Sequence, residues 1–365
     1  MKDVATLNFQ SAPHPGPEGK PQRDLYWDTL KFVLIVLVVY GHFIHNPWTL
    51  DLAVFNTIYT FHMPLFVFVS GRFTHLHDRK RYFCNIIRLL ETFLCFHVFW
   101  VLLGIFQGMS PTIKLWTSPA TTYWYLLALV YWRIGVVLLP PAKVGPRRSA
   151  FVFILSVAIS ILSGFLPVSG AFAVQRALAF FPFFLAGYYT AKWDWRWGIR
   201  KIPNWLAWVG LIGLFFLFWQ VLPDVDLSFV HHCKWSYWDG RTSSDWWGEP
   251  VCWSIACAKM GLRCLYLLLS SLSCLFVMRV MRANRLLAKW GSATLVIYVY
   301  HKFFFYVIHG MEKAHLMPGG LLAWTIETLL AVAVLTWVSR FSWPWFLTNP
   351  ISNLLRWRGK RATMP

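Results

Sequence analysis

Apolar runs of the roughly 17 to 25 residues that cross a bilayer as a helix recur along nearly the whole chain. They fall at approximately 26–45, 53–71, 88–107, 119–139, 149–167, 172–191, 203–222, 251–278, 290–309 and 320–339, with short polar stretches between most of them. A backbone in lipid must satisfy its own hydrogen bonds, so runs of this length are expected to be helical. The pattern therefore predicts an all-α, polytopic transmembrane helical bundle of about ten spans rather than several soluble domains. Residues 1–22, polar and rich in Pro and Gly, are expected to form a mobile cytosolic tail. Residues 23–340 form the membrane domain, and 341–365 a basic cytosolic C-terminal tail.

Composition agrees: 57% of the residues are hydrophobic and 13% charged, far from the balance of a soluble protein. The net charge of +19 would suit nucleic acid if it formed one patch, but it is dispersed in short clusters at alternate loops. About 25 of the 34 Lys and Arg fall on one side of the predicted spans and about four on the other. The positive-inside rule then puts both termini in the cytosol and makes the bilayer, not nucleic acid, the partner. The expected location is multi-pass in the plasma membrane or an endomembrane. The first span is expected to act as its own insertion signal, because no cleavable leader pattern precedes it. The seven cysteines show no zinc-type spacing, and no metal is expected. Cys233 in the long outer loop, 223–250, and Cys252 just after it lie where a disulfide is permitted but not required. That loop mixes acidic and aromatic residues, a composition suited either to a carbohydrate surface or to an ordinary membrane interface.

Ionisable side chains at membrane depth are costly and carry a functional reading by default. The first span holds Lys31 and His42, with ten residues between them, so both project from one face about 16 Å apart. Asp24 and Asp28 share that face. An imidazole such as His42 can take a proton from a hydroxyl and return it to a leaving group, or simply hydrogen-bond a neighbouring helix. The second span carries His62 beside Pro64, where a kink is expected, and closes on Arg72. Arg79, Lys80, Arg81 and Arg88 follow as a basic cluster able to hold nucleotide phosphates, or to act only as a topology-setting loop. Lys259, Arg263, Tyr266 and Ser270 share one helical face, and Thr294, Tyr298, His301, Lys302 and His309 nearly do so. Such stripes suit a hydrated cavity or internal pairing, with Glu91 and Glu327 available as partners.

These same residues carry a resemblance. The stretches Arg23–His42, Phe61–Phe73, Thr122–Arg133, Phe180–Tyr189 and Trp290–His301 resemble, in order, the acyltransferase-3 superfamily of membrane acyltransferases, and most closely its fucose 4-O-acetylase-like branch. The resemblance implies an acyltransferase-3-like domain over 23–340. It also implies an O-acyltransferase moving an acyl group, usually acetyl, from acetyl-CoA or another acyl-CoA to a hydroxyl of a carbohydrate or other cell-surface or secreted acceptor. The family's motif of Arg or Lys, ten residues, then His falls on Lys31 and His42. Its Arg-x-x-Arg falls on Asn85 and Arg88, so the first arginine is missing, and Arg81 is the available substitute.

The expected mechanism makes His42 the general base. Lys31 serves as oxyanion stabiliser, donor contact or partner of Asp28. Arg72, Arg79, Arg81, Arg88, His62 and His301 are the expected donor- and substrate-binding residues. The competing reading is a transporter or flippase of glycan or acyl substrates that uses the same polar cavity without covalent chemistry.

Overall fold

The computed structural model describes residues 14–15, 21–22, 24–44, 47, 49–76, 78–119, 122–139, 146–168, 170–223, 227–239 and 252–355. The sequence-based expectations for the 1–22 tail and for the acidic and aromatic residues of 224–226 and 240–250 fall largely or wholly outside them. The chain runs through α1 (Leu25–Phe43), α2 (Leu50–Arg72), α3 (Arg79–Phe106), α4 (Ile113–Thr117), α5 (Trp124–Leu138) and α6 (Pro146–Leu162). It continues through α7 (Val174–Tyr189), α8 (Trp195–Arg200), α9 (Asn204–Phe216), α10 (Ser228–His232) and α11 (Trp253–Val280). α12 (Arg285–Trp290), α13 (Thr294–Lys313), α14 (Leu321–Val338) and α15 (Ser342–Thr348) complete it.

Among the described residues nine helical stretches are long and apolar enough to cross a membrane, and α5, with 15 residues, is a shorter apolar helix. The protein is an all-α, integral, multi-pass membrane protein. Large apolar side chains such as Ile87, Leu102, Ile154, Leu268 and Leu322 stand on its outside, as lipid contact requires.

Local chemistry sets where helices begin. Asp24 caps α1, its side chain accepting from the Tyr26 N–H at 3.0 Å. Asp78 caps α3 by accepting from the Arg81 N–H at 3.1 Å, so this helix begins nine residues before the expected span at 88. Arg79, Lys80 and Arg81 are accordingly a first helical turn rather than a loop. Pro64 lies inside α2, which continues to Arg72.

α1 is central, touching α2, α12, α13 and α14, and α2 packs on α7. The α2–α7 approach depends on two glycines. A Cβ on Gly71 would stand 2.0 Å from the Phe184 carbonyl oxygen, and one on Gly187 would stand 2.0 Å from that of Phe68. The two backbones meet there with no room for a side chain.

The segment after α14 is not a free tail in its described part. Residues 350–355 are helical. The buried Glu91 carboxylate of α3 accepts from the N–H of Ile351 at 2.6 Å, from the N–H of Ser352 at 3.1 Å and from the Ser352 hydroxyl. A carboxylate at a helix N-terminus meets donors that no helical carbonyl can reach. Glu91, offered above as a partner for intramembrane cations, thus caps this terminal segment. Glu91→Ala should weaken the docking by about 1–3 kcal/mol, and faster proteolytic trimming of 349–365, with the rest of the chain intact, would register it.

Candidate active site

Lys31 and Asp28 are both buried and joined at 2.7 Å, with the Lys31 ammonium 4.8 Å from the centre of the Phe73 ring. Of the three roles open to Lys31, pairing with Asp28 is therefore the contact in place. Neither residue borders the cavity at the other end of α1.

That cavity, of about 250 Å³, is where His42 stands, half-buried in the last turn of α1. Its wall draws on five further helices: Tyr59 and His62 of α2, Trp124 of α5, Arg176 of α7, His231 and His232 of α10, and Phe305 of α13. Phe55, Tyr59, His62 and Met63 all line it, the i, i+4, i+7, i+8 face of one helix. His301, one turn before Phe305, stacks its ring on that of His42 with centroids 5.3 Å apart. The structure thus brings His42, His62 and His301 together from three helices.

Hydrogen bonds fix which nitrogen of each ring donates. His62 Nδ1 lies 2.8 Å from the Ile58 carbonyl oxygen, and His301 Nδ1 lies 3.1 Å from that of Ile297. A carbonyl only accepts, so each Nδ1 carries a hydrogen, and in the neutral ring Nε2 is the nitrogen with the lone pair. The Nε2 of His301 is buried, and no described group meets it. Tyr59 packs edge-on against His62 at 4.6 Å and donates its hydroxyl to the Gly41 carbonyl at 3.2 Å, holding the turn that presents His42. Arg176 is buried, its guanidinium 5.0 Å from the Trp124 ring centre. It brings a permanent positive charge to the cavity that holds His42.

The remaining expected residues lie elsewhere. Arg72 donates to the carbonyls of Thr190 at 3.1 Å and Trp193 at 3.3 Å and lies 4.5 Å from the Trp27 ring centre, tying the end of α2 to the segment after α7. Arg79 and Arg81 are exposed, and Arg88 is half-buried. At about 3.6 residues per turn Arg81 and Arg88 share a face of α3 while Arg79 points to the opposite one. The stripe of α11 does not line this cavity. Lys259 donates to the Asp239 carbonyl at 2.8 Å, Arg263 to Ser163 Oγ at 3.2 Å, and Tyr266 to the Tyr59 carbonyl at 3.4 Å. His309 lies 3.9 Å from Glu312, and neither lines the cavity. Cys233 is buried and Cys252 exposed, and both are free thiols.

Tyr59, Arg176, His231 and His232 line the cavity and were not anticipated as site residues. A signal existed for Tyr59, which lies three residues before His62. For His231 and His232 the only cue was adjacent histidines in a loop otherwise read for its acidic and aromatic residues.

No solved structure matches the chain. The chain is similar to the nodulation protein NolL of Mesorhizobium japonicum, 27% identical over 54% of this chain and 58% of that protein. It is also similar to the nodulation protein NolL of Sinorhizobium fredii, 28% identical over 31% of this chain and 35% of that protein. The chain thus spans under two thirds of these relatives' length. The profile of the acyltransferase domain (acyltransferase 3) matches residues 24–340, and the chain belongs to that family of acyltransferases.

Proposed function

We propose that this protein is a membrane O-acyltransferase that moves an acyl group, most simply acetyl, from acyl-CoA to a hydroxyl of a carbohydrate or other cell-surface or secreted acceptor. Within the family we assign it to the fucose 4-O-acetylase-like branch. The family supplies the reaction class and implies acyl-CoA as co-substrate. The observation that carries the reading is the meeting of His42, the histidine of the family's motif, with Arg176 and the imidazoles of His62, His231, His232 and His301 around one small cavity.

In this reading His42 takes the proton of the acceptor hydroxyl as its oxygen attacks the thioester carbonyl carbon. The new C–O bond leaves a negative oxygen on the tetrahedral intermediate, and Arg176 is the nearby permanent cation to stabilise it. When the C–S bond breaks, sulfur leaves with the electron pair and recovers the proton from His42. Ester and CoA thiol are the products, and the base is restored. His62 and His301 offer ring-nitrogen lone pairs to substrate hydroxyls. The ten spans have both termini in the cytosol, with the donor approaching from that side. Arg81 and Arg88 meet its phosphates on one face of α3, with Arg79 and Arg72 near the entrance, and the Lys31–Asp28 pair lies on the donor side of the base.

Arg176→Gln should lower kcat by about 10²–10³ with a smaller change in KM, since the charge it stabilises exists only during reaction. Steady-state kinetics on reconstituted protein measure this. The function itself is tested by incubating purified protein with labelled acetyl-CoA and a panel of hydroxyl compounds. Thiol release that depends on an added acceptor supports the reading, and a protein that binds or moves glycans while leaving the thioester intact contradicts it.

A further inference from the structure

One wall of the cavity is not a membrane-spanning helix. The segment 227–239, which carries α10, is anchored from several sides. The Tyr237 N–H donates to the Gly164 carbonyl at 2.6 Å, the Tyr237 hydroxyl to that of Ile161 at 2.8 Å, and the Gly170 N–H to that of Lys234 at 2.7 Å. Gly164 fits under the Tyr237 ring only because it lacks a side chain, since a Cβ would stand 2.1 Å from a ring carbon. The position of α10 is therefore set by the protein, and with it the positions of His231 and His232.

His231 has a definite chemical state. The Thr60 hydroxyl donates to the Asn56 carbonyl at 2.8 Å, so towards His231 it can only accept. His231 Nε2, 3.4 Å from that hydroxyl, must then carry the ring hydrogen, and Nδ1 keeps the lone pair. Burial and the neighbouring His62 push this imidazole down to about 3, so it is neutral at physiological pH. Nδ1 is buried, and no described group donates to it. Buried acceptors in native proteins nearly always have a donor, and one without a described donor, on a residue that lines the cavity, is a place for a ligand's donor.

We infer that His231 is the positioning residue for the acyl acceptor: its Nδ1 receives a second hydroxyl of the molecule whose first hydroxyl is deprotonated by His42, so the acceptor is a polyol. This rests on the acyl-transfer reading above and adds to it the residue that holds the acceptor by a second hydroxyl. The cavity suits a polyol. At about 250 Å³ it lies below the roughly 300–1,000 Å³ of sites for larger ligands, a size for one sugar ring rather than an oligomer. Its imidazoles present lone pairs, which match hydroxyl donors.

The test uses full-length protein in lipid nanodiscs, acetyl-CoA, and a set of methyl pyranosides with their monodeoxy analogues. His231→Ala and His231→Gln should raise the KM for the pyranoside by roughly 10- to 100-fold, with kcat and the KM for acetyl-CoA little changed. His231→Asn, whose amide oxygen can occupy the place of Nδ1, should recover most of that loss. In wild type one monodeoxy analogue should show the same penalty, and in His231→Ala that removal should cost nothing more. Equal defects in the Asn and Ala variants, or a deoxy penalty unchanged in His231→Ala, would show that the residue only packs, and would overturn the inference. Wild-type turnover confined to monohydric alcohols would overturn it while leaving acyl transfer standing. Absence of acceptor-dependent thiol release with any hydroxyl compound would overturn both.

Discussion

Replacing His42 by alanine is expected to lower acyl transfer by about 10²–10⁴-fold in kcat while the protein stays folded and membrane-inserted. The size reflects the loss of a positioned base. A sugar hydroxyl is a weak nucleophile until its proton has somewhere to go, and in the proposed reaction His42 is the cavity imidazole that takes it. Folding should survive because His42 is half-buried at the end of α1, beyond the core formed by Leu30, Leu34, Ile35 and Val38. Its ring stacks on His301, whose own hydrogen bond to Ile297 is independent of it. Size-exclusion profile and thermal melt should therefore match wild type, and kinetics should not. If His301 or His62 were the base, the His42 variant would keep much of its turnover and the loss would follow the other ring.

The second large effect falls on stability. Lys31→Met removes the ammonium 2.7 Å from Asp28 and leaves a buried carboxylate without that charge, at a cost of about 3–5 kcal/mol. Lys31→Met combined with Asp28→Asn should recover most of the loss, because the neutral pair asks far less of its surroundings than one stranded charge. Yield of monodisperse protein and thermal melting in detergent report it. The double variant also separates two roles. If Lys31 only supports the fold, restoring stability restores turnover. If it contacts the donor, the stable double variant keeps a raised KM for acetyl-CoA. Asp28 lies where the chain is crowded, since a Cβ on Gly291 would come within 2.7 Å of its carbonyl oxygen, so the pair helps to set how α1 meets the turn before α13.

Much of the fold was legible because membrane spans declare themselves by length and apolarity. The boundaries moved where local chemistry overrode hydropathy. α3 begins at the Asp78 cap, and its charged first turns looked like a loop because a hydropathy window stops at charge. Residues 342–355 were read as tail because they are short and mixed in character. Ile351 and Ser352 among them are held by Glu91, more than 250 positions earlier in the chain. The site divides in the same way. Helical period identified the faces of His42, His62 and His301, and the fold brings those three together. Period fixes direction around a helix, not which neighbour stands opposite or at what depth. Lys31 and His42 share a face, yet one is paired with Asp28 and the other opens on a cavity three turns away. Arg176 and His231 reach that cavity only through tertiary packing, α7 against α2 and the loop segment 227–239 against α11 and the turn at Gly164, and a single sequence carries no mark of either.

The central claim, that the His42 cavity transfers an acyl group to a hydroxyl, is tested most directly by mass spectrometry of methyl pyranosides incubated with deuterated acetyl-CoA and reconstituted protein. The account predicts a pyranoside bearing one deuterated acetyl group with wild type, in step with CoA thiol release, and its near absence with His42→Ala of equal stability. Undiminished product from the His42 variant, or no acetylated product from wild type, would contradict it.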